Sequence, residues 1–285
     1  MPPVTKPVFW RDPRMPYAEL RSVEDGRMVC YEPHTHIQWS MGAITGGQST
    51  FVCGDRRYHV SSGTLVFMNP ECVHACNPID NQPWAYLMLY LDAGWLAQLR
   101  YDLGLTGEAI WQDIPCDLLT TPQYFNGFCE LAACLLNPNA ELIDKQSRLI
   151  RFLSGLLPAI SGASDRRPPA VGNTPEKLQQ LATYLDAHCT EDLSLDDLCQ
   201  RAGYSAGYLI RAFKQYFGLT PHAYLINRRV QVGQRELKRG TPIAEAALNA
   251  GFADQPHFQR VFKRLVAATP HQYRSPLTGQ ASEIK

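Results

Sequence analysis

The chain has no excess charge of either sign: 27 lysines and arginines stand against 27 aspartates and glutamates over 285 residues. That balance excludes a uniformly basic nucleic-acid-coating protein and an acidic, self-repelling disordered chain. Cysteine is sparse in pattern as well as number. The nine cysteines form no C-x-x-C pair and no zinc-finger spacing, so the expectation is reduced and mostly buried thiols rather than a disulfide framework. No uncharged run is apolar enough to span a bilayer, and Met1-Pro2-Pro3-Val4-Thr5-Lys6-Pro7 lacks the apolar core of a signal peptide. The expected location is therefore the cytoplasm, with no membrane partner. What remains, 45% hydrophobic residues over this length, is enough for two domains with separate cores.

The most informative feature that is present is a repeat. Gly203-Tyr204-Ser205, Leu209, Arg211, Phe213, Lys214 and Thr220-Pro221-His222-Ala223-Tyr224 recur as Gly251-Phe252, Asp254, Phe258, Arg260, Phe262, Lys263 and Thr269-Pro270-His271-Gln272-Tyr273. From Ser205/Asp254 onward the offset is 254 − 205 = 49 and holds through Tyr224/Tyr273. In the first copy Ser194 and Ser205 are placed to cap successive helices broken at Gly203, with Leu209, Phe213 and Phe217 facing inward. In the second, Thr241 is expected to cap with Pro242 at the first helical position, Gly251 to turn the chain and Asp254 to cap. Each copy reads as helix, turn, helix. Tyr224 to Leu237 joins them as a strut helix about 20 Å long.

The charge balance hides an asymmetry. Residues 201–274 carry 12 basic against 3 acidic residues, 12 − 3 = +9, and the remainder carries 15 against 24, or −9. A basic double helix-turn-helix is suited to duplex DNA, with a second helix of each copy entering the major groove. The outward residues assigned to DNA contact are Ser205, Ala206, Gly207, Ile210, Arg211 and Lys214 in the first copy. Gln255, Pro256, His257, Gln259, Arg260 and Lys263 are their counterparts in the second. Arg211, Gln255, Gln259 and Arg260 are the candidates for base edges, and Lys214 and Lys263 for phosphates.

The run from Leu193-Ser194-Leu195 through Phe213-Lys214, Arg228-Arg229, Ile243 to Ala247, Gly251-Phe252, Phe258, Phe262-Lys263, Thr269-Pro270 and Tyr273-Arg274 resembles the DNA-binding domain of AraC/XylS-type transcription regulators. It departs from that pattern at Cys199, at Gly233 inside the strut helix and at Ala267, where a glycine is usual. The resemblance implies a regulator acting on double-stranded promoter DNA, with RNA polymerase a partner if it activates.

Upstream the texture changes. Met28 to Tyr31, Trp39 to Ile44, Ser49 to Cys53, Tyr58 to Val60, Thr64 to Met68 and Trp84 to Leu91 read as short strands, with Gly46-Gly47 and Ser61-Ser62-Gly63 as turns. Pro33-His34-Thr35-His36, Gly47, Gly63-Thr64-Leu65 and Pro70-Glu71-Cys72-Val73-His74 resemble the cupin barrel found ahead of that DNA-binding domain. His34, His36 and His74 are expected to converge inside it, with Trp39, Trp84, Tyr86 and Tyr90 as candidate aromatic walls of an effector pocket, Trp39 and Tyr86 foremost. Three histidines are a possible metal set, yet Ser40 stands where the enzyme pattern has a carboxylate. A metal-free ligand pocket, a metal site with Cys72 or Cys76, and histidines that only satisfy backbone groups are the three readings.

The fold class expected is α+β in two domains: residues 1–160 a cupin-like effector domain, 161–174 a linker, 175–275 the double helix-turn-helix and 276–285 a tail. Leucines, isoleucines and aromatics at helical spacing over Gln123 to Leu136 and Glu141 to Ile160 are dimerisation helices or caps, and a homodimer is expected. No catalytic residue, metal ligand or cofactor is assigned. The function expected is a ligand-responsive transcription regulator, the alternative a cupin-type metal- or redox-dependent sensor or enzyme fused to a DNA-binding domain.

Overall fold

A computed structural model describes residues 6–162 and 174–274 and divides them into two units. Most of the expected linker, the tail and Met1 to Thr5 lie outside the described residues. The first unit is built on antiparallel strands β1 (Val8–Arg11), β2 (Ala18–Val23), β3 (Trp39–Cys53), β4 (Arg56–Ser61), β5 (Leu65–Met68), β6 (His74–Pro78) and β7 (Trp84–Leu91). Helix α1 (Ala93–Asp102), the short strand β8 (Leu118–Leu119), α2 (Pro122–Leu136) and α3 (Leu142–Ser161) follow. The sheet order is β1-β2-β7-β3-β5-β8, and β4 and β6 flank the far half of β3.

β3 organises this unit. The expected turn at Gly46-Gly47 is instead a bulge within one 15-residue strand, where the register against β7 shifts between Ile44 and Gly46. Gly47 has φ +67, and a Cβ there would strike the Pro83 carbonyl oxygen. Glycine lets the strand bend from one sheet to the other without ending. Four strands, β1, β2, β6 and β8, lie outside the segments expected from sequence. β2 is buried on both faces, charged Glu19 and Arg21 as well as Ala18 and Leu20, and Glu19 is paired with Arg11 at 3.0 Å. Met28 to Tyr31 is no strand, because Val29 turns back to donate to the Gly26 carbonyl.

Strand alternation gives the sheet two unlike faces. Trp39, Met41, Ala43, Leu65, Phe67, Leu89 and Leu91 join Leu96 of α1, Phe128 and Leu131 of α2, and Leu149, Leu153 and Leu156 of α3 in one apolar core. Their alternates Ser40, Gly42, Met88, Tyr90, Val66 and Arg21 are on the opposite face. None of the nine cysteines is in a disulfide, but only Cys53, Cys76, Cys116 and Cys189 are buried; Cys30 is exposed and Cys72, Cys129, Cys134 and Cys199 are half-buried.

The second unit comprises Tyr31–Thr35 and the helices α4 (Glu176–Ala187), α5 (Leu195–Ala202), α6 (Ala206–Phe217), α7 (Pro221–Lys238), α8 (Ile243–Asn249), α9 (Gln255–Val266) and α10 (Pro270–Arg274). α6 and α9 are both 12 residues long and begin 255 − 206 = 49 residues apart. Ser194 caps α5 in a full capping box with Asp197, and Asp254 accepts from the His257 amide at 2.6 Å. Ser205 is an N-cap without a side-chain bond. The Thr241 assignment shifts by one: Pro242 is the N-cap of α8, and Thr241 is held back on α7, its hydroxyl donating to Glu236 Oε2 at 3.2 Å.

Leu209, Phe213, Phe258 and Phe262 are fully buried, while Phe217 is half-buried against Phe213 and Tyr224. Gly233 has a packing reason that composition does not reveal. A Cβ there would lie 2.6 Å from the Phe258 ring, so glycine lets α9 close onto α7. Ala267 ends α9 at φ +50, the left-handed position held by Gly218 (φ +73) at the end of α6. We expect Gly233→Ala to lower the unfolding free energy of the helical unit by ~1–3 kcal/mol through overpacking, measured by urea denaturation; an unchanged midpoint contradicts this packing account.

Candidate DNA interface and effector site

On α6, Ser205, Gly207, Ile210, Arg211 and Lys214 are exposed and Ala206 is half-buried. On α9, Pro256, Gln259, Arg260 and Lys263 are exposed, with Gln255 and His257 half-buried. The His257 ring sits edge-on to Phe252 at 5.4 Å, so part of its surface serves packing. All twelve residues flank or lie on the second helix of a helix-turn-helix.

The cations of this unit fall into two groups. Arg228 on α7 binds Asp186 at 2.6 Å and the Tyr224 hydroxyl at 2.7 Å, and Arg229 donates to the carbonyls of Cys189 and Glu191 at 2.8 and 2.7 Å. Arg201 lies 3.6 Å over the Tyr184 ring, Arg239 pairs with Glu236, and Arg264 pairs with Glu32 at 3.3 Å. Among the described residues, no hydrogen bond or ion pair holds Arg211, Lys214, Arg260 or Lys263. These four occupy matched positions on α6 and α9. Their guanidinium and ammonium groups are available to an external anion.

α7 has 18 residues, about 27 Å at 1.5 Å per residue, longer than the span read from apolar spacing alone. Its inward face carries two amides that sequence reasoning missed. Asn227 and Gln231 are buried, and both donate to the Thr35 carbonyl, at 3.3 and 3.1 Å; Asn227 Nδ2 also reaches Thr35 Oγ1 at 2.7 Å. Buried amides keep their place only when so bonded. A polar interruption of an apolar helix face was the one available signal.

In the sheet unit His36 and His74 come together, with ring centroids 4.6 Å apart and edge-on, and His36 lies edge-on to Tyr90 at 5.4 Å. His36 Nδ1 faces the Gln38 carbonyl at 2.8 Å and must carry the proton. Its Nε2 therefore accepts from the Ser40 hydroxyl at 3.1 Å. His74 Nδ1 likewise donates to the Cys72 carbonyl at 2.8 Å.

The other expected members are elsewhere. His34 does not converge with these two: it is half-buried, stacks on Tyr31 at 5.3 Å and belongs to the helical unit. The physical reason is its strand-free backbone, which leaves no shared face for the i and i+2 spacing. Trp39 faces α2 and α3 in the apolar core, stacked on Phe67 at 5.9 Å. Tyr86 is on the polar face, stacked on Trp84 at 4.5 Å and 5.7 Å from the buried Arg21 guanidinium. Sequence reading missed Arg21; Tyr90, a candidate wall, is on this face beside His36. Among the described residues no three His, Cys, Asp or Glu side chains are placed to hold a metal.

Burial holds the His36 pKa down at about 3, with the neighbouring His74 adding to the effect, and burial holds His74 at about 4. Both folded values lie below the ordinary 6.5, so the unfolded chain takes up protons first as pH falls. The stabilisation is complete above about pH 6.5 and is lost as pH drops from there toward 4. We expect the sheet unit's unfolding free energy to fall over that window with a slope approaching ~1.4 kcal/mol per pH unit for each histidine. Urea titrations at stepped pH check this; a His36→Gln chain that keeps the full parental slope contradicts it.

The two units each match a known family. A helix-turn-helix domain profile matches residues 198–275, and the AraC-like ligand binding domain profile matches residues 19–153. The HTH-type transcriptional regulator YbfI of Bacillus subtilis is 26% identical over 81% of this chain and 82% of its own length. The regulatory protein SoxS of Escherichia coli is 34% identical over 35% of this chain and 94% of its own length. ToxT from Vibrio cholerae has the same fold, with a TM-score of 0.55 at 13% identity over 97% of this chain and 98% of its own. SoxS aligns nearly whole with the helical repeat and the ligand-domain profile with the sheet unit, and on that ground the chain belongs to the AraC family of transcription regulators.

Proposed function

We propose that this regulator grips promoter DNA with α6 and α9 in successive major-groove segments and answers a small organic effector held on the polar face of its sheet. The observation that carries the DNA assignment is the matched set Arg211/Arg260 and Lys214/Lys263, free of internal partners while neighbouring cations are engaged. Arg211, Gln255, Gln259 and Arg260 read base edges; Lys214 and Lys263 hold phosphates; Ser205, Ala206, Gly207, Ile210, Pro256 and His257 line the approach.

His36, His74, Tyr86 and Tyr90, with Arg21 behind Tyr86, supply the effector site: ring walls, hydrogen-bonding nitrogens and one buried cation. ToxT has been solved with an unsaturated fatty acid bound, which favours an organic effector here. His36 Nε2 accepts from Ser40, and among the described residues no carboxylate joins the two histidines as a metal set, so a binding role is favoured over a metal-dependent enzyme. Effector binding shifts the population between states of different DNA affinity.

Ile143 and Ile150 stand exposed seven residues apart on α3, a spacing that puts them on one face. We assign that face to a homodimer. No helix among the described residues is long and apolar enough to cross a membrane, in keeping with a cytoplasmic protein. RNA polymerase is a partner if the chain activates transcription.

Arg211→Ala and Arg260→Ala should each weaken specific binding by ~1–3 kcal/mol and relax discrimination at base positions about one helical turn apart. Lys214→Ala and Lys263→Ala should weaken binding to every sequence and flatten its salt dependence. Fluorescence anisotropy on specific and scrambled duplexes across a salt series separates the two classes. Equal losses on both duplexes for the arginine variants contradict base contact.

A further inference from the structure

Two thiols of the sheet unit take no part in the roles above. Cys53, the last residue of β3, and Cys72, in the turn between β5 and β6, place their sulfurs 3.0 Å apart. The bonded distance is about 2.05 Å, so closure asks for roughly 1 Å of side-chain movement. Both backbones are already held. Cys53 is registered against His74 across the β3–β6 pair, and Gly54 donates to the Val73 carbonyl at 2.8 Å. The Cys72 amide donates to the Asn69 carbonyl at 3.1 Å, and Glu71, at φ +63, donates to the His36 carbonyl at 2.9 Å. Sequence reading grouped Cys72 with Cys76; the fold pairs it with a cysteine 19 residues upstream.

We propose that Cys53 and Cys72 form a reversible intramolecular disulfide, making this corner of the sheet a thiol-oxidation site next to the His36–His74 pair. Cys72 is half-buried and Cys53 buried, so Cys72 meets the oxidant. With a small-molecule disulfide such as glutathione disulfide, the Cys72 thiolate attacks one glutathione sulfur, forming a mixed disulfide and expelling one glutathione thiolate. The Cys53 thiolate then attacks the Cys72 sulfur and expels the second. Two protein thiols lose two protons and two electrons in all, and one glutathione disulfide is reduced to two glutathiones. The hydrogen bond with the Cys72 thiol, and then burial, push the Cys53 pKa up, so the site is a slow, equilibrating exchanger rather than a fast peroxide trap.

The same turn supports the effector site: the Cys72 carbonyl accepts from His74 and the Glu71 amide reaches the His36 carbonyl. A Cys53–Cys72 bond ties this turn to β3, so oxidation alters the setting of both histidines. That consequence for ligand response rests on the effector reading; the disulfide itself does not.

Full-length protein is equilibrated with glutathione disulfide and reduced glutathione at stepped ratios, acid-quenched, alkylated and mapped by peptide mass spectrometry. The expected product is a cross-linked peptide pair containing Cys53 and Cys72, formed equally in Cys76→Ala. Cys53→Ala should stop at a glutathione adduct on Cys72. The oxidised protein should melt several degrees higher. If Cys53 and Cys72 both remain alkylatable at the most oxidising ratio, or pair with other cysteines, the proposal is overturned. Selective labelling of the histidines for NMR gives the separate arm: oxidation should shift the His74 ring resonances, and a disulfide that forms without that shift overturns the link to the ligand site and leaves the effector reading intact.

Discussion

The contact on which the helical unit depends is the face of Phe258 against Gly233. α7 must bury a side chain from each half of the repeat to hold two recognition helices on one rod. Phe213 meets it through Tyr224, 5.4 Å away and edge-on, whereas Phe258 comes so close that any side chain at position 233 would displace it. Glycine costs a helix interior about 1 kcal/mol relative to alanine, and here that cost secures the approach of α9. Ala267 carries the opposite burden: a left-handed residue with a Cβ, at the place where the first copy has Gly218. The two copies are therefore alike in contact residues and unlike in how their backbones are accommodated.

Partnering decides which positive charges can act outward. A local charge of +9 over residues 201–274 suggests an undivided basic surface, but Arg228 and Arg229 are spent within the fold, tying α7 to α4 and to the loop after it. Removing either breaks a tie between α7 and α4 or the loop after it, a stability effect rather than a DNA effect. Arg211, Lys214, Arg260 and Lys263, which make no hydrogen bond or ion pair among the described residues, sit at repeat-equivalent positions, and that recurrence favours a shared external role for them over a merely solvated helix face.

Much of the helical unit was legible because its determinants are local: caps at Ser194 and Asp254, breaks at Gly203 and Gly251, and phenylalanines at four-residue spacing. Thr241 was misplaced by one because the end of α7 competes for its hydroxyl. The sheet unit was harder to read, since β2 buries both of its faces, Glu19 and Arg21 on one and Ala18 and Leu20 on the other, so its charged residues do not mark a solvent side. Likewise Gly46-Gly47 has the composition of a turn but, held against Pro83, makes a bulge. Among the candidate site residues, the approach of His36 to His74 was within reach of spacing arguments. Trp39 faces the helices because sheet alternation puts it opposite Ser40, and His34 lies in a segment whose partners, Asn227 and Gln231, are almost two hundred positions away for Thr35. No local pattern carries a contact of that sequence separation.

The central claim is that one chain reads two major-groove segments through one strut. It is tested most directly by hydroxyl-radical footprinting of the protein on a duplex carrying a single binding site, at a measured stoichiometry of one chain per duplex. The account predicts two protected stretches on one face of the DNA with centres about 10 bp apart, the second lost selectively in Arg260→Ala. One protected stretch per bound chain, unchanged by substitution on α9, would contradict it.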